Sequence, residues 1–132
     1  MSLSKAVALR TALQNCDGHQ VVIKENGADK SVFCLYELGF DARYGIAKNL
    51  NELNVVYENY IKTRNDLVRS ISKTGTGIAP DDMEGQAKFF AEEVKLSDQE
   101  TDINLIMLDK AHFVKSNLPA SVLSSIMVII KE

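Results

Sequence analysis

The sequence predicts a mainly helical α+β fold: a long central helix, three shorter helices and one β-hairpin in a single domain spanning 1–132. Three observations lead there. Apolar residues recur every three or four positions over most of the chain. One such run continues for about nine helical turns without a proline. The period shifts to β-branched residues around an Asn-Gly turn near the N-terminus.

Ser2 is placed to cap a first helix, in which Leu3, Ala6, Val7, Leu9 and Leu13 follow at helical spacing. Asn15, Cys16, Asp17 and Gly18 end it. Residues 19–25 and 30–36 are then strand-like, and Asn26-Gly27 between them predicts a tight hairpin turn.

The long helix is expected over 41–72, with Asp41 as its N-cap. Tyr44, Ala47, Leu50, Leu53, Tyr57, Ile61, Leu67, Val68 and Ile71 would form its apolar stripe. At 1.5 Å per residue it would be about 48 Å long, against a domain width of about 30 Å. Its overhang predicts a homo-oligomer, or a partner protein, packed along the stripe.

Lys73-Thr-Gly-Thr-Gly77 breaks this helix. Pro80, Asp81 and Asp82 start the next, in which Met83, Ala87, Phe90 and Val94 are spaced for burial. Residues 101–108 are expected as a strand. Asn117, Leu118 and Pro119 open a last, deeply buried helix through Ile130.

Of 132 residues, 45% are hydrophobic and 25% charged, which suits a globular chain and not a disordered one. The net charge of -3 makes nucleic acid an unlikely partner. Residues 1–73 carry ten Lys/Arg and eight Asp/Glu, whereas 74–132 carry five and ten. The first half therefore reads as a surface for an anionic ligand and the second as acidic. No apolar run is long enough to span a membrane. Nothing in the first residues resembles a secretory leader, so a reducing cytoplasm is expected.

The order of these segments resembles a family of small phage and prophage proteins of unknown function. The phrase carrying the resemblance is Tyr44-Gly-Ile-Ala-Lys-Asn-Leu-Asn-Glu-Leu53, continued by Tyr57-Glu-Asn-Tyr-Ile-Lys-Thr-Arg-Asn-Asp-Leu67. An acidic helix, an extended segment from Val94-Lys-Leu96 to Asp102-Ile-Asn-Leu105, and a helix opening near Leu118-Pro119 complete it. The similarity covers most of 41–132 and part of the first helix. The hairpin at 19–36 is longer than the connection usual in the family. The resemblance implies a phage accessory protein acting in the host cytoplasm, and it supplies no catalytic residues.

Cys16, His19, Cys34 and His112 have zinc-ligand chemistry, but only Cys16 and His19 are closely spaced, so no metal is expected. Neither cysteine lies in a nucleophile motif that would engage His112. Glu92, Glu93, Asp98, Glu100 and Asp102 lack the glycine of a calcium loop and read as a solvated face. The Thr74–Gly77 segment follows a helix, which suits a connector better than a phosphate loop.

Tyr57, Tyr60, Lys62, Arg64, Arg69 and Lys73 combine rings for stacking with cations for phosphate. Tyr57, Tyr60, Arg64 and Lys73 of this set, with Thr76 from the loop that follows the helix, form the candidate ligand site. The same tyrosines also fit a packing seam edged by snorkelling cations. The functional expectation is a non-enzymatic protein, without cofactor, that sequesters a host component such as a nucleotide-like defence signal. The alternative is a protein-binding adaptor or assembly chaperone with an apolar helical groove.

Overall fold

A computed structural model describes residues 1–33, 38–114 and 118–132. Its architecture is α+β and mainly helical, as the periodicities predict. Helix α1 runs over Leu3–Gly18, and the Ser2 hydroxyl accepts a hydrogen bond from the Lys5 amide as its N-cap. Leu3, Ala6, Leu9, Leu13 and Cys16 form its buried face.

Strands β1 (Gln20–Glu25) and β2 (Ala28–Phe33) pair antiparallel, with Glu25 opposite Ala28. The two-residue loop between them has positive φ at Asn26 (54°) and Gly27 (80°), the type I′ geometry expected of Asn-Gly. The expected continuation of the second strand to Tyr36, and Cys34 with it, lies outside the described residues.

Helix α2, Phe40–Ile71, is 32 residues long. Its N-cap is Gly39 rather than Asp41, which sits in the first turn, where a carboxylate favours the helix dipole. The buried face follows the expected one at Leu53, fully buried, and at Leu50, Tyr57, Ile61, Leu67, Val68 and Ile71, half-buried. It differs in the first turns, where Ala42, Gly45, Ile46 and Asn49 are buried while Tyr44 and Ala47 face solvent. Tyr44 instead stacks on Phe40, with ring centroids 5.8 Å apart.

The far half of α2 carries α3 (Met83–Asp98), which folds back along it. Part of the overhang of α2 is thus packed against a helix of the same chain, where the length argument called for a second copy or a partner. Asp82 caps α3 by accepting from the Gly85 amide at 3.1 Å. The expected burial of Met83, Ala87, Phe90 and Val94 is not realised. The inward face is Gly85, Phe89, Glu93 and Leu96, and the four apolar positions point outward.

After α3 the chain runs extended. The Leu3 amide donates to the Gln99 carbonyl at 2.8 Å and the Thr101 amide to the Met1 carbonyl at 2.9 Å, which ties its start to α1. Only Leu108–Asp109 (β3) is strand, so most of the strand expected over 101–108 is a strap laid across α2. Asn49, with 0% exposure, holds that strap. Its Nδ2 donates to the Ile106 carbonyl at 2.9 Å, and its Oδ1 accepts from the Ile106 amide at 2.6 Å. A side-chain amide here replaces the neighbouring strand that Ile106 lacks.

A 3-10 turn at Lys110–Phe113 leads toward α4 (Ala120–Ile126). Asn117, expected to open this helix, lies outside the described residues, and Pro119 occupies the N-cap. The helix ends four residues earlier than Ile130. Met127–Ile129 tighten into a 3-10 turn, and Ile130–Lys131 (β4) pairs in parallel with β3. Of the β-branched run Val128, Ile129, Ile130, the last takes the extended form that such residues favour. The core gathers Leu9, Leu13, Cys16, Ile46, Leu53, Leu108, Phe113, Ile126 and Ile129 from α1, α2, the strap and the C-terminal segment.

Candidate functional site

The five candidate ligand residues separate into three places. Tyr60 and Arg64 face α3 and meet at one carboxylate. The Tyr60 hydroxyl donates to Glu93 Oε1 at 3.2 Å, and Arg64 Nε donates to the same oxygen at 3.3 Å. The Arg64 guanidinium also lies over the Phe89 ring, 5.1 Å from its centroid. Burial, then the hydrogen bond to Glu93 and its charge, push the Tyr60 phenol above its usual value, and Arg64 pulls the other way. This cluster joins two helices: Glu93 takes the Nε donor of Arg64 and the Phe89 ring covers one face of its guanidinium.

Tyr57 turns toward α1. Arg10 sits over its ring at 3.8 Å while donating to Asn54 Oδ1 at 2.6 Å. On the other flank of Tyr57 runs an open groove of about 390 Å³ lined by Glu58, Ile61, Lys62, Asn65 and Arg69. Arg69 there pairs with Asp66 at 3.4 Å, in an exposed contact.

Lys73 and Thr76 belong to the loop beyond Ile71, the last residue of α2, which is itself about 10 Å along the axis from Arg64 at 1.5 Å per residue. They line an open groove of about 610 Å³ together with Asp81 and Asp82. Lys73 reaches Asp82 at 3.5 Å. The amides of Thr74, Gly75 and Gly77 point at the Ser72 hydroxyl, at 3.3, 3.0 and 3.2 Å. A loop whose amides already have an acceptor, beside two carboxylates, is a poor cradle for an anion.

Cys16 is buried in the core, and His19 and His112 are half-buried. Among the described residues, no three His, Cys, Asp or Glu side chains converge on one point. Among them, too, no helix is long and apolar enough to cross a membrane.

The feature that site reasoning passed over is the outer face of α3. Met83, Phe90 and Val94 are 75%, 68% and 43% exposed, and Ala87 lies between them. At about 100° per residue these four fall on one stripe, roughly 16 Å long. The signal was present as a burial pattern; what was missing was the knowledge that the fold covers a different face. No family model matches this chain, and no curated protein or solved structure was found to resemble it.

Proposed function

We propose that this chain is a non-enzymatic binding protein whose docking surface is the outer stripe of α3. One observation carries the reading. Met83, Ala87, Phe90 and Val94 are patterned for burial, yet the chain's own fold leaves them exposed at the side of a two-helix arm. Large apolar side chains in helical register are the anchors of helix-mediated protein recognition. Together with the resemblance to phage accessory proteins, this reading makes the partner a host or virion protein.

The test is affinity capture from cells expressing the protein, read by quantitative mass spectrometry, for wild type, Phe90→Glu and Val22→Glu. Val22 is exposed on the hairpin and serves as the control. A partner lost with Phe90→Glu and kept with Val22→Glu is expected. Identical captures from all three would refute the docking face.

A second reading, sequestration of an anionic nucleotide-like ligand, draws support from the groove beside Tyr57. Lys62 and Arg69 there supply charge, and Tyr57 an aromatic edge. Thermal-shift screening against cyclic and linear nucleotides tests it. Stabilisation lost in Arg69→Ala supports it, and no shift with any nucleotide removes it.

A further inference from the structure

We infer that the occupant of the α3 stripe is a second copy of the same stripe, packed antiparallel about a two-fold axis; this rests on the reading of that face as a docking surface. The stripe is complementary to itself when reversed. Setting Met83 opposite Val94 of a second copy brings Ala87 opposite Phe90 and Phe90 opposite Ala87. Each large ring then meets a small residue, and the two intermediate side chains meet each other. Ala91, exposed beside the stripe, adds no bulk that would hold the helices apart.

Charge follows the same symmetry. Glu84 and Lys95 lie on one flank of the stripe near its opposite ends, about 100° and 120° around the helix from Met83. Both are exposed. In an antiparallel pair related by a two-fold axis, like flanks face each other and the ends are exchanged. Glu84 of each copy then stands near Lys95 of the other, twice in the dimer. A parallel pair would turn that flank toward the opposite flank of the second copy and lose both Glu84–Lys95 contacts. Among the described residues Lys95 is held by the exposed i,i+3 contact to Glu92, at 3.3 Å, and can be shared.

A single helix face of this length falls below the roughly 800 Å² per partner of a standard interface. The dimer is therefore a weak one, at the low end of specific interfaces.

Sedimentation equilibrium of the pure, reduced protein from about 10 to 500 µM tests this. The expected result is a mass rising from one chain toward two. Phe90→Glu should remain a single chain throughout. Glu84→Lys and Lys95→Glu should each weaken association by roughly five-fold at low salt. The double variant should recover the wild-type constant, because exchanging both charges preserves antiparallel pairing. Circular dichroism confirms that each variant keeps its helices. A wild type that stays one chain at 500 µM overturns the inference but leaves the docking reading to its capture experiment. Failure of the double variant to recover overturns the antiparallel geometry. Dimerisation unaffected by Phe90→Glu overturns both the inference and this use of the face.

Discussion

Asn49→Ala should be among the most destabilising single substitutions in this chain. Asn49 makes two hydrogen bonds to Ile106, one from its Nδ2 and one to its Oδ1. Truncation leaves the amide and carbonyl of Ile106 without partners and opens a gap beneath the strap. An unpaired buried polar group costs about 1–3 kcal/mol. The Ile106 side chain is 37% exposed, so water recovers part of this for its backbone once the strap lifts. The expected loss is therefore about 2–4 kcal/mol. For a domain of this size that corresponds to a fall in Tm of roughly 10 °C. Urea denaturation followed by circular dichroism measures the total, and hydrogen exchange locates it. Amides over 101–108 should lose protection while α1 keeps most of its own. A change in stability within about 0.5 kcal/mol of wild type, the level of an ordinary surface substitution, would refute the clamp. So would unaltered protection over the strap.

Gly45→Ala should destabilise even though alanine favours helix by about 1 kcal/mol. The added Cβ would lie 2.6 Å from Leu108 Cδ2, and overpacking costs about 1–3 kcal/mol. Urea midpoints should fall in Gly45→Ala and recover partly in Gly45→Ala combined with Leu108→Ala. Gly27→Val forces a β-branched residue to a φ of 80° and should cost on the order of 1 kcal/mol or more, seen as faster amide exchange in β1 and β2. The raised pKa of Tyr60 predicts an alkaline limb in stability. Its contribution is fully present below the ordinary tyrosine value of 10.0 and is lost as pH climbs through the higher folded-state value. Denaturation between pH 9 and 12, run on wild type and Tyr60→Phe, should show a shallower decline in the variant; parallel declines would contradict the assignment.

The elements themselves were legible because local chemistry decides them. Ser2 caps, Asn26-Gly27 turns and the β-branched residues around it pair, each from interactions within a few positions. Which face of a helix is buried depends on neighbours far along the chain. In the first turns of α2 the line through Tyr44 and Ala47 and the line through Ala42 and Ile46 have similar apolar content. The strap chooses between them: Leu108 needs the bare backbone of Gly45, and Ile106 needs the amide of Asn49. A glycine and an asparagine in one helical stripe look like defects to periodicity, and they are what a crossing backbone requires. The same long-range choice ends α4 at Ile126, because β4 pairs with a segment about twenty residues earlier in the chain.

The candidate ligand site was less legible, for an electrostatic reason. Clustered cations on α2 attract an anion equally well whether it is a ligand or another part of the same chain. Arg64 on α2 meets Glu93 of α3, and Lys73 beyond its end meets Asp82, the cap of α3. The positive first half and acidic second half thus complement each other along the α2–α3 arm. Part of the asymmetry that pointed to a bound phosphate is internal to the fold. Arg64→Ala consequently tests packing before it tests binding, since it leaves Glu93 half-buried with only Tyr60 to donate to it. A ligand experiment needs a cation whose loss leaves the arm intact. Arg69, exposed and paired only with Asp66 on its own helix, meets that condition.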